Sequence, residues 1–390
     1  MKPKAQWLNS TVLGIGMASL FSDLSHETVT SVLPSLLASF GLAAGALGTV
    51  EGVADGLSSA AKLYGGWLTD RIARRKPLCA AGYAGMAVAT GLMALATNWG
   101  LVLLGRGLAW VARGLRTPAR KALLAEAVTP ETYGRAFGFE RTMDTLGAVL
   151  APLVTLALLA SGLKQQPLLW LAVLPALLSV LAVVFWVQET PDRTPDPRPF
   201  LASMQGLPRP FIRLLGAMGL FGAGDFAHSL MILYAVKVLS PSLGMAQAAT
   251  ISVGLYALHN AVYAATSYPA GILADRMDKR TLLAGGYLLG ALSALLMALG
   301  VDSLPLLALL FVLGGTYLGI EETLEDTLAA ERLPTSLRGT GFGSLAVVNG
   351  LGDFVSSLSV GWLWATLGPG VGFGSAALLM MAGAIGVRRT

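Results

Sequence analysis

Long apolar segments separated by short polar ones dominate this chain. Apolar runs occupy residues 9–38, 43–68, 78–97, 100–126, 136–162, 167–187, 212–238, 245–274, 282–301, 304–330, 338–365 and 371–387. Each is about 20 residues or longer, enough for a helix to cross a hydrocarbon layer of about 30 Å. No stretch alternates with period two over a useful length, so the pattern argues against a membrane barrel. The one long polar break, 188–209, contains Pro191, Pro195, Pro197, Pro199 and Pro208 among mixed charges. Proline removes a backbone donor and stops a helix, so this break predicts a linker. The expectation is an all-α membrane protein of twelve transmembrane helices in two six-helix halves, 1–187 and 212–390, joined by a linker over 188–211.

The halves read as copies of each other. Gly66, Leu68, Asp70 and Arg71 recur 205 residues later as Gly271, Leu273, Asp275 and Arg276, each set followed by a cluster of cations that includes Arg75 in the first copy. The same offset carries Gly134, Phe137 and Gly138 onto Gly339, Phe342 and Gly343. One spacing that serves two separate blocks indicates a duplication in the same direction and hence two pseudo-symmetric halves.

Composition supports a membrane setting. Of 390 residues, 54% are hydrophobic and only 13% charged, against about 25% charged in soluble domains. Most of the 27 Lys and Arg residues fall in the termini and in the connections on one side of the twelve spans. That side is expected to face the cytoplasm together with both termini. The net charge of +5 therefore points to loops that flank a membrane and not to nucleic acid. The single cysteine, Cys79, permits neither an intrachain disulfide nor a thiolate cluster. Lys2 and Lys4 precede the first run without a clear cleavage site, so that run reads as a retained helix.

The residues quoted above also carry a family resemblance. The pattern around Gly66, Leu68, Asp70, Arg71, Arg74 and Arg75 resembles the loop between helices two and three of the major facilitator superfamily, with Ala73 where the family has Gly. Arg106 with Gly114 and Pro118 resembles its fourth-helix motif, although Ala109 and Trp110 depart from it. Gly147 to Pro152 resembles the fifth-helix motif of its antiporters, with Ala151 in place of Gly. The resemblance covers nearly the whole chain. It implies the major facilitator fold, secondary active transport by alternating access, and a central cavity lined by the first and seventh helices.

Ionisable groups inside spanning helices cost a few kcal/mol each on insertion scales, so each needs a partner, water or a role. Asp23, Glu27 and Thr30 share one stripe of the first run, with His26 beside it. Glu51, Asp55 and Lys62 share a face of the second. The seventh run carries Asp225 and His228, and the eighth His259 and Asn260. The offset pairs Asp23 with His228. These residues, with Arg106, are the candidates for substrate binding and proton coupling. The bland alternative is that they pair with one another and only hold the bundle together, Lys62 neutralising Glu51 or Asp55. Along the fourth run, Arg106, Arg113, Arg116 and Arg120 form a basic stripe, and the tenth carries Glu321, Glu322, Glu325 and Asp326. Arg116 is equivalent to Glu321, and Arg120 to Glu325. Opposite signs at equivalent positions suggest a gate of salt bridges between the halves, with local pairs such as Arg120 with Glu140 as the competing arrangement. Gly66, Asp70, Arg71, Arg75, Asp275 and Arg276 are expected to brace the cytoplasmic side, Asp70 at the positive end of a neighbouring helix.

No phosphate-binding loop, dinucleotide fingerprint or HExxH motif occurs, and no nucleophile–base constellation stands out. The expectation is therefore not an enzyme but a transporter with no cofactor, driven by a gradient of protons or another ion. It should be a monomer, multi-pass in the cell membrane, whose partners are the bilayer and a small-molecule or ion substrate. The leading reading is export of a small cationic or amphipathic organic solute by antiport. The alternatives are a divalent metal exporter of the ferroportin or nickel-resistance type, for which Asp23, His26, Glu27 and His228 are the possible ligands, or uptake of a solute such as a siderophore.

Overall fold

The computed structural model describes residues 7–39, 44–189 and 194–390, with the side chains of 34, 35, 37–39 and 44–56 left out. Among the described residues every regular element is helical. The first six helices are α1 Ser10–Ser39, α2 Ala44–Arg71, α3 Arg75–Ala94, α4 Trp99–Ala127, α5 Tyr133–Ala160 and α6 Gln165–Trp186. A short helix, α7 Phe200–Gln205, lies in the linker. The rest are α8 Arg209–Gly222, α9 His228–Leu243, α10 Met245–Ala274, α11 Lys279–Ala298, α12 Leu304–Arg332, α13 Arg338–Leu367 and α14 Pro369–Arg388. By length and composition, α3, α5, α6, α11, α12 and α14 suffice to cross a membrane. The helix α4 is long enough too, but it carries the arginine stripe.

One element departs from the sequence pattern. The apolar run 212–238 predicts one helix, yet the chain breaks between α8 and α9 at residues 223–227. Gly222 ends α8 and Gly224 lies within the break, and glycine is among the poorest helix formers. The backbone groups freed there find partners. Ser356 Oγ donates to the Asp225 carbonyl at 2.5 Å, and the Ala227 N–H donates to Ser357 Oγ at 2.9 Å. A broken helix at membrane depth is stable only when its polar backbone is satisfied in this way. At the far end of α9, Gly244 adopts φ +78°, a left-handed conformation that favours glycine and lets α10 begin at once.

The chain forms two compact units. One runs to Leu207 and includes Leu333–Val347; the other comprises Pro208–Arg332 and Val348–Thr390. In the first, α1 packs on α5 and α6, α2 and α3 on α4, and α3 on α6. In the second, α8 packs on α14, α10 and α11 on α12, and α11 on α14. Under the 205-residue offset these are largely the same neighbours, so the repeat in sequence is a repeat in packing. Close approaches repeat as well. A side chain at Gly147 would meet the backbone of α1 at Leu20, and one at its equivalent Gly352 would meet Gly222 of α8.

The segment 333–347 joins the first unit through specific contacts. Asp70, at the end of α2, accepts from the backbone N–H groups of Gly339 at 2.8 Å and Thr340 at 2.6 Å. These donors open α13, and a carboxylate there satisfies them and suits the helix dipole. Arg75 donates to Asp70 at 2.9 Å and to the Thr335 carbonyl at 2.9 Å, and it also pairs with Glu126. Arg338 donates to the Tyr133 hydroxyl at 2.5 Å, and the Phe137 and Phe342 rings lie 5.9 Å apart. Each of these last two pairs is separated by 205 residues. Contact between a residue and its own repeat equivalent is the mark of a local two-fold relation between the starts of α5 and α13. The linker is tied to the end of α2 as well: the Asp196 N–H donates to the Asp70 carbonyl at 3.0 Å, and Trp67 donates to the Arg198 carbonyl at 3.2 Å.

Candidate transport site

In the first unit, α1, α4 and α5 bring the membrane charges together. Residues 113, 116 and 120 share one face of α4, as 19, 22, 23 and 26 do on α1. Asp23 is buried and pairs with Arg113, with Nη1 3.0 Å from Oδ1 and Nη2 donating to Oδ2 at 3.3 Å. Arg116 donates to Ser22 Oγ at 2.8 Å and lies 3.8 Å above the Tyr83 ring. Arg120 reaches Ser19 at 2.5 Å, Glu140 at 2.8 Å and Asp144 at 3.4 Å, and Arg141 meets the second oxygen of Asp144 at 3.4 Å. Further along, Arg106 donates to Thr30 Oγ1 at 3.1 Å and lies over Trp110, which Arg113 also faces. His26 meets the same indole edge-on at 5.0 Å. Guanidiniums buried in this way are stable because carboxylates, hydroxyls and aromatic faces replace water around them.

In the second unit, hydroxyl and amide donors take the place of arginine beside several buried acids. Asp225 sits in the break between α8 and α9 and accepts from the Tyr317 hydroxyl at 2.8 Å. Glu325 accepts from the Tyr287 hydroxyl and from Asn349 at 2.7 Å, and Glu322 accepts from the Tyr263 hydroxyl. Asp225, Glu321 and Glu325 are all buried, and none has an ion pair among the described residues. A cavity of about 370 Å3 opens here, lined by Asp225, His228, Tyr256, Glu321, Glu322, Asn349 and Asp353 among others, with no Lys or Arg among the described residues of its wall. The His228 and His259 rings lie 4.5 Å apart, and Tyr256 stacks on His259 at 5.7 Å. Nε2 of both histidines and Oε2 of Glu321 are buried without a protein hydrogen bond, so they are available to a solute or water. Chemically, the cavity offers carboxyl oxygens and ring faces to whatever enters it.

A family model described as the Major Facilitator Superfamily matches residues 15–258 and 214–389. The chain belongs to the major facilitator superfamily. An uncharacterised MFS-type transporter of Methanocaldococcus jannaschii is 27% identical over 359 residues, which cover 92% of this chain and 89% of that protein. The multidrug resistance protein MdtH of Escherichia coli is 24% identical, over 83% of this chain and 79% of its own length. Among solved structures, the transporter FucP in its outward conformation superposes with a TM-score of 0.78 at 15% identity, over 97% of this chain and 98% of that one. The protein is therefore a major facilitator transporter, a multi-pass membrane protein with the twelve-helix fold.

Within that fold, several residues singled out in the sequence occupy polar sites, though in other partnerships. Asp23, His26 and Arg106 lie together in the first unit, with Glu27 half-exposed beside His26. Asp225, His228, His259, Glu321 and Glu325 lie together in the second. The expected facing of Arg116 with Glu321 and Arg120 with Glu325 meets a different arrangement: Arg116, Arg120 and Glu325 each have partners within their own unit. The local competitor, Arg120 with Glu140, is formed. The physical reason is reach, because Glu140 and Asp144 project from α5 to the same turn of α4. Gly66 gives close passage to Gly339, and Arg71 lies over Trp67 at 5.0 Å. Asp275 ends α10, half-buried, and Arg276 is exposed after it. The side chains of Glu51 and Asp55 fall outside the described residues. Sequence reasoning passed over Asp144 and Asp353, lone acids in apolar runs that the rule applied to Asp23 also selects. Tyr317 and Asn349 give no comparable signal; only the fold brings them to the carboxylates.

Proposed function

We propose that the protein exports a small organic cation across the cell membrane in exchange for protons, by alternating access. The observation that carries this reading is the cavity of about 370 Å3 in the second unit, with carboxyl groups of Asp225, Glu321, Glu322 and Asp353, rings of His228 and Tyr256, and no cation among the described wall residues. A cation entering it replaces water with carboxylate charge and aromatic faces. In the first unit, Asp23 is the proposed proton acceptor. Protonation removes the counter-charge of Arg113, so the 3.0 Å pair loosens and the arginine must find another partner. A change of that kind inside a two-state bundle biases one state over the other. The name of the multidrug relatives and the resemblance of Gly147 to Pro152 to the fifth-helix motif of antiporters favour export. The chain has no nucleotide-binding motif, so an ion gradient is the proposed energy source. On this reading the basic loops and both termini face the cytoplasm.

An organic cation is favoured over a metal ion. Among the described residues no three His, Cys, Asp or Glu side chains are grouped to hold a metal. Asp23 is turned to Arg113 and His26 to Trp110, which engages two of the three ligands the first helix offered. The test is efflux of ethidium from proteoliposomes under an imposed pH gradient. The wild type is expected to drive ethidium against its gradient. Glu321→Gln is expected to lower cation flux at least about tenfold, the effect of roughly 1.4 kcal/mol. Asp23→Asn is expected to leave downhill flux and abolish the response to the pH gradient. Unchanged flux in Glu321→Gln, or wild-type coupling in Asp23→Asn, overturns the assignment.

A further inference from the structure

We propose that the crevice between the start of α3 and the end of α6 binds one anionic phospholipid, its phosphate held by Arg74 and Lys76 and an acyl chain lying along α6. The crevice has a volume of about 620 Å3 and is lined on one side by Arg74, Lys76 and Pro77 and on the other by Val184, Phe185 and Glu189. Its walls divide by chemistry. Phe185 is 73% exposed and Val184 42%, and the exposed apolar face continues along α6 through Leu181 and Leu177. These positions are four residues apart or nearly so, so they form one stripe that in a membrane protein faces lipid. At the head of that stripe stand two cations. Arg74 is exposed, and the Lys76 ammonium is held at the last turn of α6 by donating to the Val184 carbonyl at 2.8 Å. That bond uses one of its three donors. Among the described residues the one acid in the wall, Glu189, is already engaged: its carboxylate accepts from the backbone N–H groups of Arg75 and Lys76. It thereby fills the N-terminus of α3, so the helix end itself is not the ligand site. Two cations remain above an apolar wall, and that arrangement complements a phosphodiester attached to acyl chains. A soluble anion would use the cations and leave the apolar wall bare. The site lies outside the residues assigned to transport.

The experiment uses the purified full-length protein in detergent, titrated with phosphatidylglycerol, phosphatidylcholine and inorganic phosphate, with bound lipid counted by native mass spectrometry. One phosphatidylglycerol is expected to be retained in preference to phosphatidylcholine, and millimolar phosphate is not expected to displace it. Each cation near an anionic lipid contributes about 1 kcal/mol, so Arg74→Gln or Lys76→Gln should weaken retention about fivefold and the pair about 30-fold. Phe185→Ser, at an exposed position, should weaken it as well. Arg389→Gln, which removes an exposed cation elsewhere, should not. Equal retention of both lipids, or equal weakening by Arg389→Gln, overturns the proposal. Displacement by phosphate together with indifference to Phe185→Ser shows a free-anion site and overturns it too.

Discussion

The two halves share a scaffold and hold opposite chemistry in it. In the first, the buried acids Asp23, Glu140 and Asp144 each lie against an arginine. In the second, Asp225 and Glu325 are met by tyrosine and asparagine donors. Glu321, repeat equivalent of Arg116, keeps an oxygen free. The helices concerned, α4 and α12, are copies of each other with the charge reversed. An arginine loses its counter-charge when its carboxylate is protonated or removed, whereas a tyrosine hydroxyl can bond to either form of the acid. Duplication thus fixed where polar groups stand, and divergence decided what surrounds them: ion pairs in one half, an open acidic cavity in the other.

The largest expected effect tests that contrast directly. Glu140→Ala removes the nearest carboxylate of Arg120 and leaves only Asp144 at 3.4 Å. Breaking a buried pair by deleting one partner costs about 3–5 kcal/mol. Asp225→Asn keeps an oxygen for the Tyr317 hydroxyl and should cost about 1 kcal/mol or less. Thermal unfolding of both variants in the same detergent measures the difference, and equal losses would break the comparison between the halves. The reversal Arg120→Glu with Glu140→Arg should recover much of the stability lost by either single change. Recovery by pairing Arg120→Glu with Glu325→Arg instead would return the gate read from the sequence.

How much of this was legible beforehand depends on the range of the interaction. The duplication was legible because it is written in residue identities, and its offset reappears in the contacts of Tyr133 with Arg338 and Phe137 with Phe342. The charged candidates were legible because an acid in an apolar run is costly wherever it lies. Partner choice was not. Periodicity places Arg116 and Arg120 on one face of α4 but does not say whether that face meets α1 and α5 or something else. The break before α9 was hidden for a similar reason. An apolar run with two glycines is compatible with a continuous helix until Ser356 and Ser357 on α13 supply the backbone's missing partners.

A smaller effect sharpens what the halves have in common. Gly147 and Gly352 are repeat equivalents, and each faces a backbone too closely for a side chain. Valine at either position forces the helices apart, and overpacking of this kind costs about 1–3 kcal/mol. Gly361, with nothing within 4 Å of an added carbon, should accept alanine with a change of about 0.5 kcal/mol or less. Melting temperatures of the three variants test whether the packing repeat is energetic as well as geometric. A tolerant Gly352 beside an intolerant Gly147 would confine the tight crossing to the first half.

The smallest effect concerns the two copies of the loop after the second helix of each half. In the first copy Asp70 is buried and caps another helix, α13. In the second the capping acid is Asp278, which is exposed and caps its own helix, accepting from the Thr281 N–H at 3.1 Å and its hydroxyl at 2.7 Å. The Thr281 donors, helped by Arg280, hold the Asp278 carboxyl below its usual range. A depressed folded value means that the stabilisation is present above the ordinary aspartate value of about 3.9 and is lost as pH falls through the folded value. Removing a cap costs about 0.5–2 kcal/mol, and this exposed one belongs near the low end because solvent screens it. Asp278→Ala should therefore melt slightly below the wild type at pH 7, with the gap closing towards pH 3. Asp278→Asn, which keeps a capping oxygen and cannot titrate, should stay near the wild type at pH 7 and gain on it in acid. A gap between wild type and Asp278→Ala that is the same at both pH values would mean that the charge of Asp278 contributes nothing, and that the second loop is capped by geometry alone.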